Sequence, residues 1–192
     1  MAGRIVFTNV NLLDGENPAT PGANVVIEGN RITHAGTEPV TTHTEDRVIE
    51  LGGRTIMPGM VQAHFHTGFG PGPNPSQPPI LGLDAPMGYM GMIAAMNARL
   101  ALDTGVTSII GSSNPGLLDV CLKEATIMGV VEGPRVVPCT REFMASGDQA
   151  DGTNRSWFMQ IENHGLIRRC DGPEAFRQAT REELGRGADV VK

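Results

Sequence analysis

Between Arg4 and Met57, apolar and polar residues alternate with a period of two in short runs, at 5–10, 24–28, 31–35, 47–51 and 54–57. That period sends successive side chains to opposite faces, so each run reads as a half-buried strand. Gly29-Asn30, between the second run and the third, is a two-residue hairpin turn. The expected product is a small antiparallel sheet over residues 1–57. After Pro58-Gly59 the pattern changes to a continuous apolar run that reads as a buried strand and ends in His64-Phe65-His66.

Residues 67–79 are so dense in Gly and Pro that no regular element forms, which leaves a long loop at the strand's end. Such a loop serves either as a lid or substrate wall, or as a spacer. The period then becomes helical. Met87, Met90, Ile93, Ala94 and Leu100 share a stripe, with Asp84 placed as N-cap and Gly105 past the end. A strand over 106–110 leads to Asn114-Pro115, which caps a helix with Leu117, Leu118, Cys121, Leu122, Ala125 and Met128 on one face, closed by Gly129. Another strand spans 134–139. Asp171 with Glu174 reads as a capping box opening a helix that buries Ala175, Phe176, Ala179 and Leu184. Residues 188–192 read as a fourth apolar strand.

Strands and helices alternating at intervals of about 30–50 residues describe βαβ units and hence a parallel sheet in an α/β protein. A (β/α)8 TIM barrel needs eight such units and typically ~250 residues, so residues 58–192 supply four of them, the first half.

Composition narrows the function classes. The 192 residues carry 15 Lys+Arg against 21 Asp+Glu, a net charge of −6 that argues against a nucleic-acid or anionic-membrane partner. With 40% hydrophobic and 19% charged residues the chain is globular in composition. It has no run of apolar residues long enough to span a bilayer and no signal-peptide core, so a cytoplasmic protein is expected. Cys121, Cys139 and Cys170 are odd in number and lack CxxC spacing, in keeping with a reducing compartment. His34 and His43 have no ligand-type partner nearby in sequence and read as surface or structural residues.

Chemistry concentrates at His64 and His66. Residues at i and i+2 of a strand face the same way, so the two imidazoles enter one space at the strand's carboxyl end. Neutral imidazole is the commonest protein ligand for zinc-like ions. A His-x-His alone is a weak signal, and one buried plus one solvated histidine is the competing reading.

Taken together, Pro58-Gly59 with His64-Phe65-His66, Leu102-Asp-Thr-Gly-Val-Thr-Ser108, Gly133-Pro-Arg-Val-Val137 and Gly187-Ala-Asp-Val-Val-Lys192 resemble the amidohydrolase superfamily of metal-dependent hydrolases, in its imidazolonepropionase-like and Xaa-Pro dipeptidase-like branch. The resemblance implies a small β-sandwich built from both termini and attached to the barrel. It also implies one or two divalent metals, zinc first with cobalt, manganese or iron as substitutes, held by His64, His66 and Lys192. The lysine would be carboxylated, since a carbamate offers two anionic oxygens where an ammonium repels cations. The family's remaining histidines and its proton-shuttling aspartate match no residue here. A small-molecule substrate and a homo-oligomer are further implications.

Two departures bear on substrate. Gln62 stands where the family pattern carries an aspartate, and on strand alternation it shares a face with the two histidines. Gln149, in Ser146-Gly-Asp-Gln-Ala-Asp151, stands where the branch often carries a histidine. The long segment after the third barrel strand also carries Arg141, Trp157, Phe158, His164, Arg168 and Arg169, the side-chain types that grip an aromatic or carboxylate-bearing substrate. Arg141, just past a strand's carboxyl end, is the foremost of these, with Gln149, Trp157 and His164 beside it as substrate-binding candidates, and a solvated or locally packed side chain is the competing reading for each. Cys139, at the same strand end, reads as a small interior residue. The expected reaction is hydrolysis of a carbon–nitrogen bond by metal-activated hydroxide. The alternatives are phosphoester cleavage at the same site and a metal-free scaffold on the same fold.

Overall fold

The computed structural model describes residues 3–69, 86–148 and 165–192, and the chain divides into two compact units, Met1–Pro58 and Gly59–Lys192. In the first unit, β1 (Ile5–Leu12), β2 (Thr20–Glu28), β3 (Arg31–Gly36) and β4 (Arg47–Glu50) form a sheet in the order β3-β2-β1-β4, and β5 (Thr55–Ile56) also pairs with β1. Gly29 makes the β2–β3 turn at φ +59°, a conformation that costs glycine nothing. The sheet is mixed rather than antiparallel: β1 pairs antiparallel with β2 but parallel with β4 and β5. The cause is the crossover at residues 37–46, which carries the chain from β3 at one edge back past β1, so that β4 starts at the same end as β1. Arg4 holds that crossover by a two-pronged contact with Asp46, Nε to Oδ1 at 3.1 Å and a terminal nitrogen to Oδ2 at 2.6 Å. Val10, Ala23 and Val25 form the core, flanked by Phe7, Leu12, Leu51 and Ile56. The described residues of this unit form one five-stranded sheet.

The second unit alternates β6 (Met60–Phe65), α1 (Met87–Asp103), β7 (Val106–Gly111), α2 (Leu118–Ile127) and β8 (Arg135–Val137), then continues through β9 (Glu142–Met144), β10 (Ile167–Arg169) and α3 (Gly172–Gly185). The strands β6-β7-β8 are all parallel, each pair linked through a helix, as a βαβ order requires. This is a mixed α/β arrangement, with no closed barrel among the described residues. Ala98 of α1, Ile109 of β7, Leu122 of α2 and Val136 of β8 pack into one core, with Phe65, Val106 and Val131 against it. The expected fourth strand is an isolated parallel bridge, Cys139 to Val190, continued by a hydrogen bond from Phe143 N–H to the Lys192 carbonyl. No helix among the described residues is long and apolar enough to cross a membrane.

Several local expectations are corrected. The strand β6, expected to be buried, is exposed along most of its length, and among the described residues it pairs on one side only, with β7. On α1 the buried stripe is Met90, Ile93, Ala94, Asn97, Ala98 and Ala101, while Met87 and Leu100 are exposed. Asp84 lies outside the described residues. Asn114 does not cap α2: Gly116 and Leu117 both take left-handed dihedrals and separate it from the helix, which starts at Leu118. Cys121, on α2, and Met128, just past its end, are both exposed. Asp171 sits at the N-cap of α3 but makes no cap bond, because its carboxylate accepts from Ser146 N–H at 2.8 Å and from the Ser146 hydroxyl. Phe176 and Leu184 are exposed on α3, and Ala179 and Glu183 are its buried residues.

Candidate metal centre

His64 sits in β6 and His66 is the first residue past its end. The pairing of β6 with β7 shifts register between Gln62 and Phe65, so strict alternation is broken there and does not place Gln62 on the histidines' face. The imidazoles nevertheless converge, with Nε2 to Nε2 at 3.1 Å and rings inclined at 64°. The Nδ1 of His66 lies 3.0 Å from the carbonyl oxygen of Ser113. A carbonyl can only accept, so Nδ1 carries the proton and neutral His66 presents an Nε2 lone pair to the shared space. Burial lowers the His66 pKa, opposed by the Ser113 carbonyl and helped by the nearby Lys192 and His64 charges, which favours that neutral form. Phe69 stacks on the ring at 4.4 Å between centroids.

The two imidazole nitrogens are spaced as two ligands of one tetrahedral divalent ion would be. Two nitrogens each at about 2.0–2.1 Å from one zinc stand roughly 3.3 Å apart at a tetrahedral angle. The observed spacing is within a few tenths of an ångström of that. Lys192, the third residue implied by the family resemblance, projects its ammonium onto Glu142 Oε2 at 2.9 Å. An ammonium has no lone pair to give, so Lys192 ligates only after losing its charge. Among the described residues no group of three or more His, Cys, Asp or Glu side chains is disposed to hold a cation. Cys139 is buried and burial pushes its thiol pKa up, which disfavours a thiolate ligand.

The carbonyl that fixes His66 belongs to a strained residue. Ser113 has φ +67°, a left-handed conformation costing a non-glycine residue of order 1–3 kcal/mol. Asn114 beside it is clamped at three points: its N–H donates to Thr140 O, its Oδ1 accepts from Gly68 N–H and its Nδ2 donates to Asp119 Oδ1. Asp119, on α2, is fully buried and also accepts from the Thr67 hydroxyl at 2.6 Å and from Cys139 N–H at 3.3 Å. Burial pushes its carboxyl up to about 6, against the pull of those three donors.

Arg141 follows the third strand as expected, but its guanidinium faces inward. It is 4% exposed and its Nε donates to Oε1 of the fully buried Glu183 at 3.0 Å. Burial pushes the Glu183 carboxyl up, but hydrogen bonding to Arg141 and the charges of Arg141 and Arg186 outweigh it, so the net shift is downward. The pair lines a pocket of about 300 Å³ with Asn114, Gly116, Leu117, Thr140 and Arg186. Arg168 pairs with Glu182 at 3.1 Å. Gln149, Trp157 and His164 lie outside the described residues, as does Phe158.

No protein-family model matches the chain. A 65-residue stretch, 33% of this chain and 15% of its counterpart, is 40% identical to 5-methylthioadenosine/S-adenosylhomocysteine deaminase of Caldanaerobacter subterraneus subsp. tengcongensis. Among solved structures, an amidohydrolase superposes with a TM-score of 0.77 at 28% identity, covering 98% of this chain. The structural neighbours are amidohydrolases and Xaa-Pro dipeptidase-like proteins. A prolidase complexed with N-methylphosphonate-L-proline gives a TM-score of 0.75 at 25% identity, again over 98% of this chain. A Xaa-Pro dipeptidase with methionine bound in its active site gives 0.80 at 22% over 98%, a likeness of fold alone. This chain spans 46% of each of these three structures.

Three residues around the histidines were not singled out from sequence. Asp119 left a trace, a carboxylate three residues before Leu122 and thus on the buried stripe of α2. Ser113 and Glu142 left none, since their roles depend on a backbone dihedral and on a contact fifty residues away in the chain.

Proposed function

We propose that residues 58–192 form four of the eight β/α units of an amidohydrolase barrel, and that the protein hydrolyses a carbon–nitrogen bond of a small molecule with the help of one or two divalent metals, zinc foremost. The observation that carries this reading is the His66 hydrogen bond to the Ser113 carbonyl, which leaves an Nε2 lone pair 3.1 Å from the His64 ring nitrogen. Similarity to an amidohydrolase at 28% identity supports the reaction class. A bound divalent ion would supply Lewis acidity, polarising a carbonyl and providing hydroxide near neutral pH. His64 and His66 would hold it.

Lys192 would join them as a carbamate: its ammonium gives up a proton, the neutral amine adds to CO2, and a second proton leaves as the new N–C bond forms. Glu142, 2.9 Å from the Lys192 nitrogen, is placed to accept the first proton and holds the side chain in register until then. Phe69, stacked on His66, keeps that ring from turning and shields one of its faces from water.

Amide, urea-type and phosphotriester substrates assayed side by side with the metal-supplied full-length protein test the reaction class. Turnover of amide or urea-type compounds is expected. Turnover of phosphotriesters alone would overturn the reading.

A further inference from the structure

We propose that Asp119 is the positioning residue of the histidine pair: through one carboxylate oxygen it holds both sides of the His66–Ser113 contact and so fixes which nitrogen of His66 faces His64. This deepens the metal-centre reading and rests on it. Thr67 directly follows His66, and Asn114 directly follows Ser113. Both side chains donate to the same atom, Asp119 Oδ1, at 2.6 and 2.9 Å. The second oxygen receives Cys139 N–H, so the ends of three neighbouring strands converge on one carboxylate carried by α2.

Two further observations point the same way. Ser113 takes a left-handed conformation that its own sequence does not favour, and its direct neighbour is the Asn114 tied to Asp119. Gly111 leaves the carboxylate its space, since a Cβ at that position would lie 1.8 Å from Asp119 Oδ2. A carboxylate with no solvent exposure and three protein donors has no role in surface solvation. Its partners are the backbone and side chains that flank the candidate ligands. Partners that orient a ligating histidine are worth roughly 10–100-fold in metal affinity.

The test uses the full-length protein with 15N-labelled histidine, in wild type, Asp119→Ala, Asp119→Asn and Thr67→Val forms. The probes are the His66 tautomer without metal, read from long-range proton–nitrogen correlations, and Co2+ affinity, read from its visible absorption. Wild type is expected to show one tautomer, protonated at Nδ1. Asp119→Ala should mix the tautomers and weaken Co2+ binding roughly 10–100-fold. Asp119→Asn, which keeps Oδ1 but turns a donor toward Cys139 N–H, and Thr67→Val, which loses one bond, should fall between. Folded variants with the wild-type tautomer and unchanged Co2+ affinity would overturn the proposal. If Asp119→Ala does not fold, Asp119→Asn and Thr67→Val decide it. A tautomer that shifts in the variants while wild type binds no Co2+ would refute the metal reading and leave the positioning role standing. Tight Co2+ binding in wild type with an unmoved tautomer would do the reverse.

Discussion

Arg141→Ala will destabilise the protein by about 3–5 kcal/mol, the cost of breaking a buried ion pair and leaving its partner charge unpaired. Glu183 has no solvent exposure, and Arg141 donates to its Oε1 through both Nε and a terminal nitrogen. The loss falls toward the lower end, because Arg186 remains 3.6 Å from the same oxygen. Urea unfolding measures it as a lower midpoint at unchanged slope. The same variant separates two roles for one residue. Position just past a barrel strand suggests a substrate clamp, whose loss raises KM and leaves stability alone. The buried pair with α3 requires the opposite, and unchanged unfolding with a raised KM would contradict it.

Gly111→Ala will be of similar weight for a steric reason. The new Cβ would meet Asp119 Oδ2 at 1.8 Å and the Cys139 amide nitrogen at 2.8 Å, neither of which sits on a flexible end. Relieving the overlap costs about 1–3 kcal/mol as overpacking. Displacing Cys139 N–H from the carboxylate costs a further ~1–3 kcal/mol as a buried group loses its partner. Gly88→Ala is the control. It lies in α1 with nothing within 4 Å of its added Cβ, so helix propensity should make it neutral or stabilising by up to ~1 kcal/mol. Thermal unfolding compares the pair, and equal melting temperatures would refute the packing argument.

These residues also show what could be read from the chain without its fold. The βαβ order was legible because short apolar runs and period-3.6 stretches alternate around Gly105 and Gly129, both of which take the positive φ that ends a helix. The His64–His66 pair was legible because its spacing is local. Exposure of β6 was not, since an apolar run does not announce what packs against its faces. Asn114-Pro115 looked like a helix cap because that dipeptide starts helices in general. Here the asparagine's side chain is taken up by Gly68 and Asp119, 46 and 5 residues away in sequence. Arg141 was placed at the right strand end, but its pairing with Glu183, 42 residues later, was not legible, because no local pattern announces it. What escaped was the set of long-range polar contacts that surrounds the histidines.

The measurement that bears most directly on the central claim is metal content per full-length chain, by elemental analysis after exposure to zinc, for wild type and His66→Ala. One or two ions in wild type and a sharp fall in the variant is the predicted result. A folded wild type that holds no more metal than His66→Ala would contradict it.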